Sequence, residues 1–245
     1  KQKTAYEIYQ CDWSSDVCSS DPRVVPKARR LARISSDEMM EMAATGGRVL
    51  MLRSVEFARR HHVPLHVRSS FTWEPGTWVV EEDSTMEDAV VSAITDDVSE
   101  AKVTVSGVPD QPGVAATLFR ELADRGINVD MIVQNSGANG LTDISFTVGK
   151  TDLDAAMVAC EKIRAQIGAA AVTSDDQIGR VSVVGAGMKS SPGVTALMFE
   201  TLSAHGINIE MISTSSIRIS CVVRANKVGD AVRALHTAFG LDADS

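Results

Sequence analysis

The chain has 245 residues, of which 44% are hydrophobic and 23% are charged, and its formal net charge is −8 at pH 7. This length and apolar content predict one or two globular domains with a sizeable core. No apolar run approaches the roughly 18–20 residues needed to cross a bilayer, and the acidic balance argues against a general binder of nucleic acid or of membrane surfaces.

The first 21 residues differ in composition from the rest of the chain. They hold both tyrosines and two of the four cysteines, without a sustained apolar period. The stretch resembles the peptide made when a sequencing adapter is translated in frame, so we expect a foreign, disordered segment over residues 1–21. The alternative is a metal or redox element formed by Cys11 and Cys18, although their spacing differs from that of the usual zinc pairs. So few cysteines in a long chain indicate a reducing, cytoplasmic setting and no disulfide scaffold.

Charge then divides the chain. Residues 22–70 carry ten Lys or Arg and four acids, whereas residues 71–100 carry nine acids and no Lys or Arg. The reversal, close to the turn pair Pro75 and Gly76, predicts a domain boundary. We expect one segment over 22–72, and a linker with one strand over 73–100. The basic stretch is either a polyanion-binding face or, more simply, a solvated one.

An internal repeat organises the second half. Residues 107–136 align with 187–216 at a constant offset of 80, so that a Pro-Gly-Val triplet begins at both Pro112 and Pro192. A Gly-Ile-Asn triplet likewise begins at Gly126 and at Gly206. Two copies are too few for a solenoid, so they predict two similar modules, over residues 101–176 and 177–245.

Each copy predicts the same elements. Short Val-rich strands at 102–108 and 180–185 lead to a helix with Pro112 or Pro192 at its first position and a left-handed glycine after its end. Strands follow at 128–134 and 142–148, and at 208–213 and 217–223. A second helix closes each unit, capped in the first copy by Thr151 and followed by Gly168. With one further strand this is a βαββαβ, ferredoxin-like α+β fold, a sheet with helices on one face.

Several long strings carry a family resemblance. SEAKVTVSGVPDQPG, GINVDMIVQN, DDQIGRVSVVGAGMKSSPG and GINIEMISTS resemble ACT domains, and specifically the regulatory half of the aspartate kinase family. Upstream, DPRVVPKARRLARISSDEMMEMAATGG resembles the end of that family's kinase domain. The resemblance covers residues 22 to about 241. It implies two ferredoxin-like ACT modules preceded by the C-terminal remnant of an amino-acid-kinase α/β domain.

The resemblance implies phosphoryl transfer from ATP to the side chain of aspartate, the first step toward lysine, threonine and methionine. The family's catalytic lysine and phosphate loop have no counterpart here, so we expect a C-terminal fragment with no catalytic residue, no metal ligand and no kinase activity. ATP and magnesium would serve the full-length enzyme, and the fragment would need no cofactor. Arg23 would reach the nucleotide phosphates, unless it is a solvated loop arginine, and Arg48 and Val49 would lie near the base.

The resemblance also implies effector sites for lysine, threonine or both, placed where ACT modules pair. A helix N-terminus there can hold the effector's α-carboxylate. In the first copy the matching residues are Asp110, Gln111, Gly113, Val114, Ala115, Asn128, Val129, Asp130 and Gln134. In the second copy they are Met188, Ser190, Val194, Thr195, Asn208, Ile209 and Ser215. Gln111 and the neighbouring Ser216 depart from the family pattern, which leaves effector preference open. Taken alone, Asp110 and Asn128 would be structural turn and strand-edge residues.

We expect a homodimer through the ACT modules, or pairing with a full-length aspartate kinase, and neither a nucleic-acid nor a membrane partner. The alternative function is a non-catalytic, beta-type regulatory subunit, for which Met86 stands at the family's internal start. A weaker alternative is an ACT regulator of another enzyme.

Two other signals suggest ligands and are set aside. The Gly-Ala-Gly stretch at 185–187 follows a strand, but Ser190 replaces the third glycine of a dinucleotide fingerprint. His61, His62 and His66 suggest a metal site, but Pro64 breaks helical spacing and no partner acid stands out.

Overall fold

The computed structural model describes residues 17–71, 73, 75–81, 90–136 and 139–242. In chain order the strands are β1 (Arg33–Ser35), β2 (Leu65–Val67), β3 (Thr77–Val80), β4 (Ala93–Asp97), β5 (Glu100–Pro109), β6 (Val129–Ser136), β7 (Leu141–Gly149), β8 (Ala171–Asp175), β9 (Ile178–Val184), β10 (Met211–Thr214) and β11 (Arg218–Arg224). The helices are α1 (Ser36–Ala44), α2 (Leu52–Arg60), α3 (Val114–Asp124), α4 (Leu153–Arg164), α5 (Gly193–Ala204) and α6 (Val228–Ala238). No helix in the described ranges is both long and apolar enough to span a bilayer.

The chain forms two compact units. Unit 1 comprises Lys1–Asp97, Arg180–Val223 and Lys227–Ser245, and unit 2 comprises Val98–Gly179 and Arg224–Asn226. Unit 2 is therefore the first module of the repeat. Unit 1 contains the second module together with the segment that precedes both.

Unit 2 has the predicted βαββαβ order. Its four strands form an antiparallel sheet in the order β6-β7-β5-β8. Alternate residues of β5 and β7 are buried, and α3 and α4 contribute an apolar stripe to the same core. Phe146 on β7 is fully buried, and its ring lies edge-on to Phe119 with centroids 5.5 Å apart, a favoured aromatic geometry.

Unit 1 completes the second module with a strand from elsewhere in the chain. The sheet order is β10-β11-β9-β4, so the fourth position belongs to β4, which precedes the first module. β4 and β9 are antiparallel, with Ala93 opposite Val184 and Asp97 opposite Arg180. A separate three-stranded sheet, in the order β1-β3-β2, lies in the same unit with α1 and α2.

A buried carboxylate ties α1 to the second module within unit 1. Glu38 is only 4% exposed and forms a capping box with Ser35, whose hydroxyl donates to Glu38 Oε2 at 2.8 Å. Its other oxygen, Oε1, accepts from the Ser92 hydroxyl at 2.6 Å and from the Ala186 N–H at 3.0 Å. This one side chain therefore fixes the start of α1 to the turn that follows β9.

The structure confirms the two ferredoxin-like modules and corrects details within them. The helices of the repeat begin at Val114 and Gly193, so the prolines before them are not their first residues. No side-chain hydrogen bond caps α4, which instead follows a 3-10 turn over Lys150–Asp152. The strand predicted from residue 208 begins at Met211. Both helix-ending glycines were predicted correctly: Gly126 and Gly206 have φ values of 71° and 64°.

The expected disordered segment is wrong for residues 17–21. Val17 and Ser19 are fully buried, and Cys18 forms a β-bridge with Arg30. The Ser19 hydroxyl lies 3.0 Å from Nε2 of His236 on α6. Residues 1–16, including Cys11, lie outside the described ranges, as does Met86.

Candidate functional site

Three segments of unit 1 enclose a pocket of about 350 Å³. They are a loop after the buried residues 17–20, the chain directly after α1, and the distal part of β4. The lining residues are Cys18, Ser20, Asp21, Pro22, Arg23, Val24, Met42, Gly46, Gly47, Arg48, Val49, Ile94, Thr95 and Asp96. The volume lies within the range of small-molecule sites.

The first wall is a tight turn built around Asp21. Its carbonyl accepts the N–H groups of Val24 and Val25 at 2.9 and 2.8 Å, and its carboxylate accepts from the Arg23 N–H and Nε at 2.9 Å each. Burial would raise the pKa of Asp21, but the hydrogen bonds and the charge of Arg23 outweigh it and leave the pKa below its ordinary value. Arg23 is thereby held at the pocket as an oriented cation.

The second wall follows the end of α1, where a glycine allows the chain to meet β4. The Gly47 N–H donates to the Met42 carbonyl at 2.7 Å and closes the last turn. Gly46 has φ of 109°, and a Cβ on it would lie 1.8 Å from the carbonyl oxygen of Asp96. Only glycine fits both this conformation and this contact, and the turn places Arg48 and Val49 on the pocket.

The third wall, the distal part of β4, carries the acidic residue Asp96 in the same pocket as Arg23 and Arg48. Burial, followed by the negative charges of Asp21 and Asp97, raises the pKa of Asp96, whereas Arg48 and Arg23 act in the opposite direction. Asp97 itself lies 3.7 Å from Arg180, away from this group. The pocket therefore combines two arginines suited to phosphate with a carboxylate suited to hydrogen-bond donors.

The structure brings all three predicted nucleotide residues, Arg23, Arg48 and Val49, to this one pocket. Sequence reasoning did not select Ile94, Thr95 or Asp96, because β4 is separated from the other walls along the chain. The adjacent acids of the TDD string, at the end of an apolar run, were the only local signal for Asp96.

The predicted effector residues of the first module lie at two separate ends of unit 2. Gln111, Gly113 and Val114 line a cavity of about 430 Å³ at the start of α3, which has no side-chain cap. Asp110 donates its N–H to the Gly140 carbonyl at 2.9 Å beside this cavity, and Ala115 follows in the first turn of α3. Within the described residues no side chain caps the start of α3, and the Val114 N–H bonds the Gln111 carbonyl at a long 3.5 Å, so this helix end can receive an anionic group of a ligand.

The remaining residues of that set lie toward the opposite end of the sheet. Val129 pairs with Val148 on β7, whereas Pro109, at the end of β5, pairs with Leu141. Seven residues of strand separate Leu141 from Val148, which is roughly 23 Å. Asn128 and Asp130 lie beside Val129 on the edge strand β6, and Gln134 pairs with Ile144 nearer the middle of β7. One copy of this module therefore does not bring the whole predicted set together.

The second module divides its predicted residues in the same way. Met188 and Ser190 lie in the 3-10 turn after β9, and Val194 and Thr195 begin α5. Asn208 and Ile209 precede β10, where the Glu210 N–H bonds the Val222 carbonyl. Ser215 follows β10, near the turn after β9, where the Gly185 N–H bonds the Ile217 carbonyl.

Ser215 also contacts the segment before the modules. Its hydroxyl donates to Glu41 Oε1 at 3.4 Å, and Glu41 pairs with Arg218 at 3.0 Å. This contact gives Ser215 a structural partner on α1 that no local pattern indicated.

The signals set aside have structural explanations. Glu38 accepts the Ala186 N–H of the glycine-rich turn, so a carboxylate lies where a dinucleotide fingerprint would hold phosphate. His66 stacks on Trp78 with ring centroids 4.1 Å apart, and His62 pairs with Glu81. The described ranges contain no group of three or more His, Cys, Asp or Glu residues arranged to hold a metal ion.

Family models match both parts of the chain. The ACT domain model matches residues 102–163 and 181–239, and the Amino acid kinase family model matches residues 14–69. The second match begins upstream of the boundary expected at residue 22. It includes the Asp21 and Arg48 walls of the pocket.

Similar proteins agree with these matches. The aspartokinase of Mycobacterium tuberculosis is 50% identical over 241 residues, which cover 96% of this chain and 57% of that protein. The regulatory subunit of aspartate kinase from Thermus thermophilus, solved without ligand, is 41% identical with a TM-score of 0.59, covering 61% of this chain and 99% of that one. The chain thus spans somewhat more than half of the curated relative and nearly all of the regulatory subunit.

Two crystal structures of Escherichia coli aspartokinase III support the fold alone, since each is 23% identical and covers 96% of this chain and 52% of that one. One contains aspartate and ADP, with a TM-score of 0.81, and the other contains lysine and aspartate, with a TM-score of 0.75. Tandem ACT modules, an amino-acid-kinase segment, and a match to nearly the whole of a related regulatory subunit lead to one conclusion. The chain belongs to the aspartate kinase family.

Proposed function

We propose that the chain is the C-terminal part of an aspartate kinase, which converts ATP and L-aspartate to 4-phospho-L-aspartate. In this proposal the chain retains the region that senses lysine and threonine, together with part of the nucleotide pocket, and lacks most of the catalytic domain and all of the catalytic residues. The observation that carries the proposal is the convergence of Arg23, Arg48 and Val49 on one pocket beside an ACT sheet. The Amino acid kinase family model matches only residues 14–69, which supports a partial kinase domain.

ATP would supply the transferred phosphoryl group, and magnesium would neutralise its charge in the whole enzyme. The residues present fit part of that task. Arg23 and Arg48 offer guanidinium groups to phosphate, and the pocket holds no cluster that would retain a metal by itself within the described ranges. Purified chain with ATP, magnesium and aspartate should therefore form no ADP above a no-protein blank. Turnover that co-purifies with the chain would overturn this part of the proposal.

We also propose that each effector site is completed by a second copy of the chain. Each predicted set is spread between the two ends of a module, and among the described residues both β6 and β10 have a strand neighbour on one side only. In such a pair, the helix start of one copy would bind the effector's carboxylate, and strand residues of the other would bind its ammonium. A homodimer is the expected state.

Calorimetric titration of the full chain with lysine, threonine and both together tests the effector proposal, with sedimentation measured in parallel. We expect saturable binding to a dimer. Asn128→Ala and Asn208→Ala should each weaken binding at one site by about tenfold, since each removes hydrogen bonds to a charged ligand. Asn226→Ala, in an exposed turn outside both sets, serves as the control. A folded dimer that binds neither amino acid would refute the site assignments.

A non-catalytic regulatory subunit is the second candidate, because the match to the Thermus thermophilus regulatory subunit covers 99% of that protein. In that case a product beginning at Met86 should be detectable by mass spectrometry of the expressed gene. It should also co-purify with a full-length aspartate kinase and alter the lysine sensitivity of that enzyme. Absence of both effects would exclude this role.

A further inference from the structure

Strand β4 is part of both the sheet of the second ACT module and the wall of the pocket. Through its ladder with β9 it completes the sheet of the second ACT module, and through Ile94, Thr95 and Asp96 it forms a wall of the pocket. Ile94 is buried in the core of that module. The Thr95 hydroxyl lies 2.6 Å from that of Thr45, at the end of α1. The strand is therefore fixed on both sides, and the position of Asp96 is set by the regulatory sheet.

The Asp96 carboxylate lacks a donor of its own. In the ranges that the structure describes, no side chain or backbone N–H lies within hydrogen-bonding distance of it, and its interactions with Arg23 and Arg48 are electrostatic only. Asp21 and Asp97, by contrast, each face an arginine. Asp96 is only partly buried and lines a pocket large enough for a ligand, so its hydrogen-bond donors come from solvent or from a ligand that replaces it.

Charge decides which part of a ligand would contact Asp96. Phosphates would favour the two arginines and be repelled by Asp96. A carboxylate accepts hydrogen bonds from hydroxyl and amino groups, and a nucleoside offers both in its ribose and in the exocyclic amine of adenine. Resting on the nucleotide pocket proposed above, we infer that Asp96 is a nucleotide-binding residue contributed by the ACT sheet, accepting hydrogen bonds from the nucleoside.

This assignment gives the regulatory sheet a direct contact with the nucleotide. Asp96 pairs with Val181 on β9, and three residues beyond it β9 ends at Val184, where the turn carrying Met188 and Ser190 begins. The ladder therefore connects Asp96 and that turn within one sheet.

NMR titration of the ¹⁵N-labelled full chain with ADP tests the inference, because it detects weak binding and verifies the fold of each variant. Wild type should show saturable shifts in Gly46, Gly47 and Arg48. Asp96→Asn should weaken ADP binding by about fivefold, since a neutral acceptor makes a weaker hydrogen bond than a charged one, and Asp96→Ala by about tenfold. Asp154→Asn, an exposed carboxylate on α4, is the matched control and should bind ADP like wild type.

Two analogues identify the donor. If Asp96 accepts from the exocyclic amine, wild type should bind inosine diphosphate, which lacks that amine, about fivefold more weakly than ADP. The Asp96→Asn variant should then bind inosine diphosphate as well as wild type does. If Asp96 accepts from the ribose, 2′-deoxyadenosine diphosphate should instead be the analogue that binds wild type more weakly than ADP and loses no further affinity in Asp96→Asn. Equal or tighter ADP binding by both Asp96 variants would overturn the role of Asp96 while leaving the pocket intact. Absence of ADP binding by wild type would overturn the pocket and this inference together.

Discussion

Replacing Glu38 by alanine tests how firmly α1 is fixed to the second ACT module. The carboxylate is buried and accepts from Ser35, Ser92 and the Ala186 N–H at 2.8, 2.6 and 3.0 Å. Glu38→Ala removes every one of these acceptors at once. Alanine keeps one of the two methylenes of this side chain, so most of the loss comes from the hydrogen bonds.

The expected loss follows from the donors that remain behind. The Ser92 hydroxyl can rotate toward another acceptor, but the Ala186 N–H is fixed by its backbone and would lack a partner, at a cost of about 1–3 kcal/mol. The Ser35 hydroxyl still caps the N–H of residue 38, but the Ser35 N–H loses Glu38 Oε2 as its acceptor, which adds about 1 kcal/mol. The sum, about 2–4 kcal/mol, is a large part of the 5–15 kcal/mol that stabilises a typical domain.

Urea unfolding and amide hydrogen exchange together provide the assay. Glu38→Ala should lower the free energy of unfolding of unit 1 by that amount and accelerate exchange at Ala186. The control is Asp37→Ala on the same helix, whose 42% exposed carboxylate pairs with the 51% exposed Arg59 at 2.9 Å and should cost about 1 kcal/mol or less. A loss below 1 kcal/mol for Glu38→Ala, or unchanged exchange at Ala186, would show that this carboxylate does not fix the turn.

Three further predictions concern stability. Burial lowers the pKa of His236 below its ordinary 6.5 even though Asp242 acts to raise it, so protonation opposes folding: stability is retained above pH 6.5 and falls as the pH drops below it. The urea midpoint should therefore decrease between pH 7.5 and 5.5, less so in His236→Gln, and an identical decrease in both would contradict this. Gly46→Ala places a Cβ 1.8 Å from the Asp96 carbonyl oxygen and should lower the free energy of unfolding, measured by thermal unfolding, by about 2 kcal/mol or more. Gly193→Ala is the control and should be neutral, because the space around Gly193 is open. Equal effects of the two substitutions would refute the close approach of Gly46 to Asp96. Phe146→Ala should cost unit 2 about 3–5 kcal/mol, measured by urea unfolding against Ala substitution of the 59% exposed Val158; a cost below 1 kcal/mol would be inconsistent with a core position.

Local patterns predicted most of the module fold. The left-handed Gly126 and Gly206 at the helix ends depend only on neighbours along the chain, and both are found as expected. The predictions that failed depended on contacts made elsewhere. Thr151 is of a residue type that often caps helices, but the chain enters α4 through a 3-10 turn, and no side chain makes a capping hydrogen bond there.

The residues of the candidate pocket likewise include some that the sequence predicted and some that it did not. Arg23, Arg48 and Val49 lie in strings that the family resemblance covers, so they were expected at one site. Asp96 comes from a strand whose ladder partner, Val181, lies beyond the entire first module. Residues 17–21 likewise gained their burial from distant contacts, such as that of Ser19 with His236. No local pattern contains that information.

The origin of β4 has a consequence for the order of folding. All six elements of unit 2 lie within residues 98–179, so during synthesis this module can close its sheet before Arg180 is made. β4, already synthesised, remains an edge without its neighbour until β9 follows. Such non-local pairing is slow and leaves a strand exposed to association with other chains. Because Asp97 and Arg180 face each other across the ladder, the first module is in effect an insertion between adjacent strands. A short hairpin joining those two residues would make the pairing of β4 with β9 a local step.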